Sequence, residues 1–161
     1  MTKDFHYAVV RLLAMLNIAH DPATVIQQGF TLRVDNELQI DLIGLQEGFL
    51  NLRAVVGSLP SDQVENALLL RLLYANDFAF EHPPVSIGID PQSASISVWS
   101  RQALSELRDD VRCAWFDRFL GIASTLQAWL KSADHSLPLP GTDNLGAPLK
   151  TPATAQRKVT L

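Results

Sequence analysis

The side chains best equipped for chemistry are four histidines, one cysteine and a set of scattered carboxylates. His6, His20, His82 and His135 are dispersed, and none has a cysteine or a second histidine within a helical turn. A metal centre needs several ligands at matched spacing, so this pattern implies no metal. Cys113 has no histidine near it in sequence and reads as a structural thiol rather than a nucleophile. Asp109 and Asp110 are adjacent, and neighbours on a helix point about 100° apart, so they do not converge on one substrate atom. They suit the positive end of a helix dipole better. There is no Gly-rich phosphate loop and no GxSxG turn. Trp115, Phe119 and Trp129 have the spacing of a packed helix face rather than of a stacking platform. The expectation is a protein without catalytic residues or cofactor.

Composition narrows the alternatives. The chain has 161 residues, 47% hydrophobic and 19% charged, as in a globular protein with one ordinary core. Residues 136–161 hold three of the 13 Lys/Arg and one of the 17 Asp/Glu, so residues 1–135 hold 10 and 16, a net of −6. An acidic body repels phosphates, which disfavours nucleic acid as a partner. No apolar run approaches the roughly 18 residues of a membrane helix. The first residues have neither the charge pattern nor the small-residue site of a secretory signal. With a single cysteine, the expected compartment is the cytoplasm. The expected organisation is one domain, 1–135, followed by a flexible, basic tail, 136–161, rich in Pro, Gly and Thr.

The elements follow from periodicity. Phe5, Val9, Leu12 and Leu16, with Leu13 beside them, predict a first helix over 3–19, closed by Asp21-Pro22. Tyr7, Val10 and Ile18 fall on its far side. Phe30–Asp35, Leu38–Leu42 and Phe49–Val56 alternate as strands of an antiparallel meander, with turn chemistry at Asp35-Asn36-Glu37. Ser61 is the expected N-cap of a second helix. On that helix Leu68 and Leu72, Leu69 and Leu73, and Leu70 and Tyr74 occupy three different sides. A helix apolar around most of its girth is buried on more than one side. One sheet covers only one side, so a second copy of the chain is expected over the rest. Val85–Ile89 and the strand carrying Ile96 and Val98 form a hairpin through Asp90-Pro91-Gln92-Ser93. A last helix spans 104–132, with Val111, Trp115, Phe119, Ile122, Leu126 and Trp129 as its stripe. Trp99 has an ambiguous phase.

The segment Leu68–Leu104, LLLRLLYANDFAFEHPPVSIGIDPQSASISVWSRQAL, carries a resemblance. Its Leu-rich helix runs into Ala75-Asn76, and the strand Ile87-Gly88-Ile89-Asp90 turns into a second strand leading to the C-terminal helix. This order resembles the type III secretion chaperones of the Tir-chaperone (class I) family, over about residues 1–132. The resemblance implies an α+β fold: an α-β-β-β-α-β-β-α two-layer sandwich with a twisted antiparallel five-stranded sheet, homodimeric, in the bacterial cytoplasm. It implies a non-enzymatic protein that holds the N-terminal chaperone-binding segment of a secreted effector in extended form, and an encounter with the secretion ATPase. Carried over, it places Leu69, Leu70, Leu73 and Tyr74 at the dimer interface. Val10 and Ile18, with Leu32, Val34, Leu38 and Ile40 on the first hairpin, are the expected effector contacts. Two alternatives stand beside it: a chaperone-like regulatory or adaptor protein that binds a non-secreted partner, and a small hydrolase or transferase whose site residues are remote in sequence.

Overall fold

The computed structural model describes residues 2–18, 29–35, 37–59, 66–77, 84–132 and 159–160. The elements run α1 (Thr2–Met15), β1 (Gly29–Val34), β2 (Leu38–Ile43), β3 (Phe49–Ser58), α2 (Asn66–Asp77), β4 (Val85–Ile89), β5 (Ser95–Ala103), α3 (Asp109–Lys131) and β6 (Val159–Thr160). The expected α+β order of α-β-β-β-α-β-β-α is present, with β6 added at the end. The antiparallel strands pair in the order β4-β5-β3-β2-β1-β6.

Alternation decides which face of the sheet is covered. Phe30, Leu32 and Val34 stand opposite Leu42, Ile40 and Leu38 across the β1–β2 pair. All six are buried, along with Leu50, Leu52, Ala54 and Val56 on β3 and Ile96 and Val98 on β5. A slip of one residue would turn each of these outward, so burial locks the register. Each of the Val, Leu, Ile and Phe side chains among them contributes about 1.5–3 kcal/mol on leaving water. Over this face lie α1, through Phe5, Ala8, Val9, Leu12 and Leu13, and α3, through Trp115, Phe116, Phe119, Leu120, Ala123, Leu126 and Trp129. Four of the six expected stripe residues, Trp115, Phe119, Leu126 and Trp129, are buried, while Val111 and Ile122 are only half-buried because the covered side extends toward Phe116, Leu120 and Ala123.

Helix ends differ from the sequence expectation for physical reasons. Asn17, not Asp21-Pro22, closes α1: it takes a left-handed φ of 56°. The Ile18 N–H donates to Leu13 O at 2.9 Å and the Asn17 N–H to Ala14 O at 3.2 Å. This is a Schellman closure, which satisfies helix carbonyls that would otherwise lack donors. At the other end, residues 104–106 form a 3-10 turn, and Leu107 then leaves helical geometry with φ −81° and ψ 67°. Leu107 plugs into the core, so α3 begins at Asp109. Ser61, the expected cap of α2, lies outside the described residues.

Polar ties join the layers. Trp115 Nε1 donates to Ser100 Oγ at 2.8 Å, and that hydroxyl donates to Pro84 O at 2.6 Å. One hydrogen-bonded chain, buried at its Trp115 end, thus links α3, β5 and the lead-in to β4. Asp109 accepts from Arg11 of α1 and, at 2.8 Å, from the buried Arg112. Arg112 also donates to Leu107 O at 2.5 Å. The Arg11 hydrogen bond is the main cause holding the Asp109 carboxyl below its ordinary range. At the far end of α3, Lys131 Nζ meets Glu37 Oε2 at 2.7 Å and Gln127 Nε2 donates to Glu37 O at 3.2 Å, fastening the β1–β2 turn.

Candidate protein-binding surfaces

Catalytic geometry is not what the described residues offer. Among them no group of three or more His, Cys, Asp or Glu is arranged to hold a metal ion. Burial pushes the Cys113 thiol above its ordinary range, which disfavours the reactive thiolate. His6 is half-buried on α1, while His20, His82 and His135 lie outside the described residues. No helix of the described residues is long and apolar enough to cross a membrane. What remains are surfaces.

The first surface is α2. Leu68 and Leu72 are buried in the core. Leu70 and Leu73, one turn apart, are 51% and 63% exposed, and Leu69 is half-buried between the two sides. Apolar residues therefore lie on more than one side of α2, and the core covers the Leu68–Leu72 side. Tyr74 is helical, but its side chain lies outside the described residues. Large leucines exposed at i, i+3 spacing form a continuous stripe rather than isolated surface residues.

The second surface is the open face of the sheet. Trp99 is 45% exposed, resolving its ambiguous phase: it stands opposite Arg53 on β3 and Ser86 on β4, on the uncovered side. Val55, in the same phase on β3, is exposed as well. Arg101, farther along this face, lies 4.9 Å from the Phe49 ring centroid and donates to Gln46 Oε1 at 2.9 Å.

The sheet's two edges form the third, and they are treated differently. At β4, Asn76 Nδ2 donates to Ile87 O at 2.9 Å while the Ile87 N–H donates to Asn76 Oδ1 at 2.6 Å. The carboxamide reproduces both hydrogen bonds of a neighbouring strand and so blocks that edge at its middle. The sequence singles out Ala75-Asn76 as a signature, but nothing in residue order reveals this contact. At the opposite edge, β1 pairs with β6 only at Arg33 and Val34. The outer side of Gly29–Leu32 has no strand partner among the described residues. A recess of about 390 Å³ lies at this end, lined by Gly29, Phe30, Thr31, Asp41, Leu42 and Ile43.

The expected effector contacts divide. Val10 and Ile18 are half-buried at the rim of α1. Ile18 is not on the helix's far side as expected; it follows Asn17 in the closure of α1, donating its N–H to Leu13 O, and packs back on the core. Leu32, Val34, Leu38 and Ile40 are between 0% and 3% exposed. As docking side chains for a partner they require correction: the even phase of the hairpin points under α1 and α3, so these positions are filled from within. The hairpin presents outward its backbone edge and the polar residues Thr31, Gln39 and Asp41, which are joined by hydrogen bonds of 2.9 and 3.1 Å onto Asp41 Oδ1.

No protein-family model and no curated protein sequence matches this chain. Solved structures do. A chain of the ExsC–ExsE complex superposes with a TM-score of 0.62 at 15% identity, covering 83% of this chain and 98% of that one. For the ExoT–SpcS complex from Pseudomonas aeruginosa the TM-score is 0.58 at 17% identity, covering 77% and 97%. For the Yersinia pestis type III secretion chaperone SycH, in complex with a stable fragment of YscM2, it is 0.57 at 14% identity, covering 76% and 98%. Nearly the whole of each relative is thus matched by the helices and strands described above, and the chain has the fold of the type III secretion chaperones.

Proposed function

We propose that this protein is a cytoplasmic chaperone of bacterial type III secretion, which binds the N-terminal chaperone-binding segment of a cognate effector in extended form and keeps it soluble and ready for export. The observation that carries this reading is the fold shared along almost the full length of chains solved as chaperone–effector complexes. The surfaces agree with it. An extended segment gains sequence-tolerant backbone hydrogen bonds by adding to a sheet edge, while alternate side chains give specificity. The outer side of Gly29–Leu32 supplies such an edge, with Val10 and Ile18 as proposed apolar contacts. Leu32, Val34, Leu38 and Ile40 support it from beneath by fixing the register. The mechanism is binding and release, with no bond broken by this chain. The stripe of Leu69, Leu70, Leu73 and Tyr74 is the proposed homodimer seam, and the loaded dimer is the form that would meet the secretion ATPase.

Affinity capture from the native cell tests the reading. The partner should be an exported protein, and deleting its N-terminal region should abolish capture. A partner held through a folded C-terminal domain would overturn the reading; one that is never exported would favour an adaptor.

A further inference from the structure

We infer that the chain's own C-terminal segment is an internal occupant of the strand-accepting edge, one that an incoming partner strand must displace. The observation is the β1–β6 pairing. Val159 stands opposite Val34 and Thr160 opposite Arg33, antiparallel, on the side of β1 that faces away from β2. An edge strand exposes unpaired backbone groups that template pairing with another chain. Here the same molecule answers that liability with two residues.

Three further features suit a reversible plug. The tail carries a net of +2 against −6 on residues 1–135, so the field of the body attracts it. Residues 132–158 separate α3 from β6, 27 residues that at about 3.3–3.6 Å each can reach any edge of a small domain. A tether of this kind holds its end at an effective concentration on the order of millimolar, enough to favour a contact that would be negligible between separate molecules. Finally, the plug is short. Among the described residues it pairs with two of the six β1 residues, and the outer side of Gly29–Leu32, beside the recess at that end, has no strand partner. A partner strand can pair first there and then advance over Arg33 and Val34, so the tail raises the threshold for binding without blocking it. Strands that pair only briefly are rejected, and those that span the edge are retained. The opposite edge lacks this device because Asn76 already holds β4.

The inference builds on the proposed binding of extended segments, yet its test needs no effector. The probe is a labelled synthetic peptide of residues 150–161, offered in trans to the full-length chain and to the full-length variant V159P/T160P. Proline removes the N–H groups that strand pairing requires. In the variant, amide signals of Arg33 and Val34 should shift, and whichever of the two amides points outward should exchange faster. The peptide should bind the variant roughly threefold or more tightly than the wild type, because the wild-type edge is partly occupied. Both chains should unfold at the same urea midpoint, since β6 lies outside the core. Unchanged exchange at Arg33 and Val34, or a peptide that binds both chains equally or neither, would overturn the inference. A failure to capture an exported partner would instead count against the chaperone reading and leave these results unaffected.

Discussion

Asn76 and Ile87 exchange two hydrogen bonds, 2.9 and 2.6 Å long, so that one side chain at the end of α2 stands in for a missing strand beside β4. The contact fixes the Leu-rich helix to the sheet and closes one edge. Asn76→Ala should cost about 1–3 kcal/mol, the range for leaving backbone groups unpaired, and should expose an edge prone to self-association. Asn76→Asp is the sharper variant, because its second oxygen would face Ile87 O. That carboxyl should be held above its ordinary range, so the variant is weakened at neutral pH and recovers as pH falls and the acid protonates. Urea unfolding of the three chains against pH checks this; an N76D profile parallel to wild type would contradict it.

The exposed pair Leu70 and Leu73 predicts the assembly state. Light scattering should give a mass of about twice the 17.8 kDa chain. Leu70→Glu with Leu73→Glu should give a folded monomer, since neither residue is in the core. A monomeric wild type, or a variant that stays dimeric, would remove α2 from the seam.

The Arg11–Asp109–Arg112 cluster predicts acid sensitivity. Asp109 has its carboxyl held below the ordinary carboxylate range, first by the Arg11 hydrogen bond. Such a group adds stability that is fully present above its unfolded pKa, near 4, and is lost as pH falls through the lower folded value. Glu37, lowered by Lys131, acts in the same direction. Asp109→Asn should therefore flatten the acid limb of stability against pH. An unchanged acid limb would show that the pair is screened out by water.

Ser100 is fully buried and holds the Trp115 indole. Ser100→Ala leaves Trp115 Nε1 without its acceptor and Pro84 O without its donor. The expected loss is about 1–3 kcal/mol, read as a lower urea midpoint at an unchanged slope. A change below a few tenths would mean that the site readmits water.

The elements were legible wherever one residue's neighbours decide its environment. Alternation in Phe30–Val34 and Leu38–Leu42 places both strands and their buried phase, and the surplus leucines of 68–73 foretell an exposed stripe on α2. Contacts between distant elements were not legible. Asn76 with Ile87, Arg11 with Asp109 and β6 with β1 each depend on tertiary approach, which residue order does not encode locally. The same alternation that placed the hairpin could not tell whether its apolar phase faced α1 and α3 or a partner, and so Leu32, Val34, Leu38 and Ile40 read as docking residues although they are core. Asn17 shows a smaller failure of the same kind. Its left-handed turn ended α1 before the more obvious Asp21-Pro22 signal.

The central claim is that this fold holds a partner's chain in extended form. Its most direct test is proteolysis of the complex captured from the native cell, with the protected partner fragment identified by mass spectrometry. The account predicts one protected stretch of tens of residues near the partner's N-terminus, with no fold of its own once released. Protection of an independently folded domain, or of no partner segment at all, would contradict it.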